Sequence, residues 1–106
     1  MSQERDINHA RMQMQQELRR INREVIHDLV PELGLKKLTP LFNLVAKARG
    51  LYIKKLIEIS SSNSGLPSDA QVKELSLLRR SYEELLSGGH MIETAIERGY
   101  IDVEEK

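Results

Sequence analysis

Ile7, Met14, Leu18, Ile21, Val25 and Leu29 follow one another at intervals of seven, four, three, four and four residues. Such spacing puts them on one narrow stripe of a helix, with arginine, glutamine and glutamate around the rest of it. The stripe predicts a first helix over about residues 6–29. Pro31 has no N–H and disfavours helix at Val30, so the helix should stop there. The stretch PELGLKKL then reads as a short connection with at most one helical turn, and Gly34 as a left-handed stop.

A second helix is predicted over 39–59. Thr39 is a good N-cap, and Pro40 suits the first helical position, where a missing N–H costs nothing. At 100° per residue Asn43, Lys47, Gly50, Lys54 and Glu58 form one polar strip. The remaining positions are mostly Leu, Ile, Val and Ala, an apolar arc over roughly two-thirds of the circumference. A surface helix needs much less. Residues 60–67 read as a serine-rich loop.

The third helix is predicted over 68–98. Ser68 and Gln71 have the spacing of a capping box, and Asp69 sets a negative charge at the positive helix end. Leu75, Leu78, Tyr82, Leu85, Gly89, Ile92 and Ile96 then alternate by three and four, as a heptad seam does. The seam crosses Gly88-Gly89 in phase. A loop there has no reason to keep phase, so the pattern favours one long helix over a break that would create a fourth. Gly99 should end it, leaving a tail, 99–106, whose Tyr100 and Ile101 are able to fold back.

These elements predict a single all-α domain over residues 1–106. Its expected form is an antiparallel three-helix bundle with a long C-terminal helix. In a three-helix monomer each helix buries one side, and the second helix is apolar over about twice that arc. The surplus predicts a homodimer with Ala46, Arg49, Gly50, Ile53 and Ile57 at the interface. Ala46 and Gly50 let backbones approach. Arg49 falls inside the apolar arc, where it either snorkels to water or meets an acid across a helix contact.

Composition narrows the chemistry. Hydrophobic residues make up 40% and charged residues 30% of the 106, a globular balance. The absence of cysteine removes disulfides, thiol catalysis and cysteine-based metal sites. No apolar run approaches the ~20 residues a membrane span needs. The opening MSQERDINHARMQMQQ has acids and no apolar stretch, unlike a signal or transit peptide, so a cytoplasmic location is expected. No phosphate-binding glycine motif is present, and the serines have no base in local register. The expectation is a non-enzymatic protein without cofactor, metal or small-molecule substrate. Glu24 and His27 have the Glu-x-x-His spacing of di-iron helices, but such sites need two copies and two further carboxylates. His90 and Glu93 have the reverse order, and all four read as solvated faces.

Nucleic acid is the rival partner. Arg19, Arg20 and Arg23 lie on the outward face of the first helix, and Lys47, Lys54 and Lys55 on the second would extend a basic surface beside them. Lys36 to Ile59 holds six basic residues (Lys36, Lys37, Lys47, Arg49, Lys54, Lys55) against Glu58 alone. Against this, Glu17 and Glu24 interrupt the arginines, and 16 basic residues balance 16 acidic ones over the chain. Aromatic platforms for stacking bases are scarce. The sequence thus ranks a protein-interaction module first, self-associating and serving as adaptor, assembly factor or regulator of another protein. A nucleic-acid-binding regulator is the alternative.

Overall fold

A computed structural model of the chain describes residues 2–62 and 65–104. It is all-α in character. Helices α1 (Ser2–Leu29), α2 (Leu35–Ser62) and α3 (Asp69–Glu97) account for most of it, with two short strands, β1 (Glu32–Leu33) and β2 (Asp102–Val103). The chain divides into two compact units. One holds the residues up to Leu35 together with Glu93 onward; the other holds Lys36–Ile92.

In the first unit α1 begins before Asp6, because Gln3, Glu4 and Arg5 are good helix formers with nothing to break the run. It ends where expected. The Val30 N–H closes the last turn on the Ile26 carbonyl at 2.7 Å, and Pro31 follows. At the far end of the unit, Gly99 takes a left-handed φ of 76°. Its N–H reaches the Ile96 carbonyl at 3.0 Å, and the Tyr100 N–H reaches the Ala95 carbonyl at 2.8 Å. Those two bonds are a Schellman cap, and its usual apolar contact is supplied by Tyr100 and Ala95. The cap turns the chain back, so that Tyr100 and Ile101 are buried with Ala95 against Ile26, Leu33 and Ile96.

The returning segment then pairs with the α1–α2 connection. β1 and β2 run parallel, Glu32 beside Asp102 and Leu33 beside Val103. The Asp102 N–H bonds to the Pro31 carbonyl at 3.0 Å and the Glu104 N–H to the Leu33 carbonyl at 2.8 Å. The expected left-handed stop at Gly34 is therefore absent, while the second half of PELGLKKL is helical, as the first turn of α2. Gly34 is buried and has no positive φ. It lies against the Glu104 side chain, and a Cβ there would stand 3.1 Å from the Glu104 Cβ.

Helix α2, which belongs to the second unit from Lys36 onward, starts at Leu35, so Thr39 is not its N-cap and Pro40 lies inside the helix. Pro40 forgoes a bond to the Lys36 carbonyl. The extra turn carries Leu38 at a half-buried position. Leu41, Val45, Ala48, Tyr52, Lys55 and Ile59 are the buried or half-buried positions that follow, spaced by four and three. On α3 the corresponding row is Leu75, Leu78, Tyr82, Leu85 and Gly89. The two helices are in contact, with Lys55 Nζ 3.0 Å from a Glu74 carboxylate oxygen. The serine-rich loop is shorter than expected. Ser60 and Ser62 stay helical by donating their hydroxyls back to carbonyls, Ser60 to Ile57 and Ser62 to Glu58. Asn63 and Ser64 of that loop lie outside the described residues.

The capping box opens α3 as expected. The Gln71 N–H meets Ser68 Oγ at 3.2 Å, and the Ser68 N–H meets Gln71 Oε1 at 2.9 Å. The helix runs unbroken through Gly88-Gly89. Nothing lies within 4 Å of a Cβ built on either glycine, so Gly89 is not a point where another backbone comes close. Gly88→Ala should stabilise the chain by up to ~1 kcal/mol, and Gly89→Ala by a similar amount. Urea denaturation of both variants checks this. A loss of stability in either would show that the glycine is needed as glycine.

Candidate interaction surfaces

Two features stand out: a polar clasp in the first unit and a bare apolar face in the second. The clasp begins on α1, where Asn22, Arg23, Ile26 and His27 are half-buried on one face. Arg23 Nη1 donates to the Gly99 carbonyl at 2.7 Å and to Asp102 Oδ1 at 2.9 Å. His27 Nε2 lies 3.0 Å from Asp102 Oδ2. The Asn22 amide donates to the Tyr100 hydroxyl at 3.4 Å. Hydrogen bonds from Arg23 and then His27 hold the Asp102 carboxyl below its ordinary range, and the Asn22 bond lowers the Tyr100 hydroxyl. The same face walls an open groove of about 500 Å³ lined by Gln15, Leu18, Arg19, Asn22, Glu97, Arg98 and Tyr100.

The clasp ties the returning segment to α1. A folded-state carboxyl lowered below its unfolded value stabilises fully above the ordinary carboxylate range, and that contribution disappears as pH falls through the folded value. The gap in melting temperature between wild type and Asp102→Asn should therefore be widest near neutrality. It should start to shrink only below about pH 4 and close as the pH falls through the lower folded value. A gap independent of pH would remove the carboxylate from this role.

In the second unit Ala46, Arg49, Gly50, Ile53 and Ile57 are all exposed. At 100° per residue they lie together with Phe42 and Leu56, roughly a third of a turn from the row facing α3. Phe42, Ile53, Leu56 and Ile57 are 45% to 58% exposed, a contiguous apolar face on a helix that already has a packed seam. Gly50 has nothing within 4 Å of a built Cβ. Arg49 lies exposed within this face and has no ion-pair partner among the described residues.

The basic residues are used unequally. Arg20 is clasped by Glu17 and, at 3.0 Å, by Glu24. Its bond lowers the Glu17 carboxyl. Arg23 belongs to the clasp and is not the dispensable surface charge that its outward position suggests. Lys55 is half-buried between Glu58 and Glu74. Arg19 lines the groove, and Lys47 and Lys54 are exposed on α2. Arg19, Arg20 and Arg23 belong to one unit, the three lysines to the other. His27 meets Asp102, while the carboxylate of its Glu-x-x-His partner Glu24 is engaged by Arg20. Among the described residues no helix is long and apolar enough to cross a membrane.

The clasp was not visible in the sequence. Arg23 and Asp102 are 79 residues apart, and no periodicity links them. Compared with known proteins, the chain matches no family model, no curated protein and no solved structure.

Proposed function

We propose that this chain is a non-enzymatic, cytoplasmic helical interaction module that self-associates as a homodimer through the far face of α2 and serves another protein as adaptor, assembly factor or regulator. One observation carries the reading. A face made of Phe42, Ala46, Gly50, Ile53, Leu56 and Ile57 is bare on a helix whose α3-facing row is already packed. Apolar faces of this kind on soluble proteins mark association sites. A two-fold contact covers the face with itself, and Ala46 and Gly50 let the two backbones come close. In this reading the helices of the assembled protein form an antiparallel bundle.

A nucleic-acid regulator remains the rival because Arg19, Lys47 and Lys54 have no acid partner among the described residues. Salt separates the two. Phosphate binding falls steeply with ionic strength, whereas apolar association does not. The test is light scattering alongside binding to mixed RNA and duplex DNA, from low to physiological salt. The expected result is an assembled mass that salt leaves unchanged and no salt-sensitive nucleic-acid binding. Tight, steeply salt-dependent binding by an unassociated chain would reverse the assignment.

A further inference from the structure

The stripe of α1 carries an order of its own, independent of the α2 reading. Asn22, Arg23, Ile26 and His27 face the returning C-terminal segment. Met14, Ile21 and Val25 lie on a different face, with Leu18 and Leu29 at its edge beside Asn22, and the five are 42% to 75% exposed. Continuing their three-four spacing in both directions brings in two charges. Arg11 precedes Met14 by three residues, and Asp28 follows Val25 by three. Both are exposed, and neither has an ion-pair partner among the described residues.

We infer that a second copy of this chain covers the α1 stripe, antiparallel, about a two-fold axis passing between Leu18 and Ile21. In that register Met14 stands opposite Val25 of the second copy and Leu18 opposite Ile21. Arg11 stands opposite Asp28. The two kinds of heptad position face each other, as in antiparallel helix pairs.

The charges select this arrangement. A parallel pair in register would set Arg11 on Arg11 and Asp28 on Asp28. Sliding the antiparallel pair by one heptad sets Arg11 against Ile21 or Asp28 against Leu18. Only the stated register neutralises both charges, and it does so twice by symmetry. Glu17 and Glu24 flank the seam, and Arg20 of the same chain, bound to both, offsets one of their two charges. A foreign helix has no need of a stripe complementary to its own reversed sequence.

The area is sufficient. An aliphatic side chain of this size presents about 100 Å² of apolar surface when fully exposed. At the exposures seen, the two stripes together would bury roughly 600 Å² of apolar surface. Specific interfaces are about 60% apolar, which implies ~1,000 Å² in all, and specific contacts begin near that size. With the α2 face this would give each chain two self-complementary contacts.

The test uses Arg11→Asp and Asp28→Arg in the full chain carrying Ile53→Glu, so that the α2 contact is absent and only the α1 contact is read. Circular dichroism confirms that each variant is helical. Sedimentation equilibrium up to sub-millimolar concentration is expected to show a dimer for Ile53→Glu alone. Each charge reversal should weaken that dimer by at least ~10-fold, since like charges then oppose each other at both ends. An equal mixture of the two reversals should associate again, because their introduced charges are complementary. A monomer for Ile53→Glu at every concentration, reversals without effect, or a mixture no heavier than its components would each overturn the α1 pairing. Failure of the α2 reading shows separately, as equal assembled masses for wild type and Ile53→Glu.

Discussion

Ile53→Glu is expected to halve the assembled mass of the protein while leaving its helices intact. Ile53 is 45% exposed in the single chain and lies at the centre of the α2 face, between Ala46, Arg49, Gly50 and Ile57. The substitution therefore removes little packing within the chain. At a two-fold contact it places two carboxylates in a desolvated centre, one from each copy. Truncating a central contact residue typically costs ~2 kcal/mol or more, and the buried, like-charged pair adds to that. Dissociation should strengthen by at least ~100-fold. Light scattering reads the mass and circular dichroism the fold. If the variant keeps both helicity and assembled mass, the α2 face is not the contact.

The second large effect lies in the first unit. Ile101→Ala should destabilise the chain by about 2–4 kcal/mol. Ile101 is 6% exposed and belongs to a cluster of only three buried residues, with Ala95 and Tyr100. So small a core has little capacity to relax around a cavity. The same side chain anchors the segment that carries β2 and Asp102. Its loss should therefore also free the Asp102 and Glu104 amides from the Pro31 and Leu33 carbonyls. Urea denaturation gives the energy, and hydrogen exchange at those two amides gives the local opening. A change below ~0.5 kcal/mol, with both amides still protected, would mean that the returning segment is held by the clasp alone.

Periodicity and capping chemistry explain most of what was legible beforehand. The α1 stop at Pro31, the Ser68–Gln71 box and the passage of α3 through Gly88-Gly89 all follow from local rules. So does the turn at Gly99, since a glycine past the last seam residue is the usual left-handed cap. Pro40 is a good first-turn residue, yet α2 begins five residues before it, at Leu35. The other misses have a common cause, which is that longer-range packing outweighed a local signal. Gly34 reads as a stop, but its place beside Glu104 is set by a strand pair joining segments 70 residues apart in register, Glu32 to Asp102. Two-residue strands leave no period to detect. Arg23 looked like a solvated charge because its partner, Asp102, lies in what read as a tail. The α2 face was legible for the opposite reason. An apolar arc wider than its neighbours in the chain can use is a property of the helix itself.

Self-association is the claim on which the functional reading depends, and multi-angle light scattering at micromolar concentration tests it most directly. One chain weighs 12.2 kDa. The account predicts at least twice that mass, falling toward the single-chain value on dilution and unmoved by moderate salt. A mass of 12.2 kDa at every concentration and salt level would contradict it and assign the bare α2 face to a different protein.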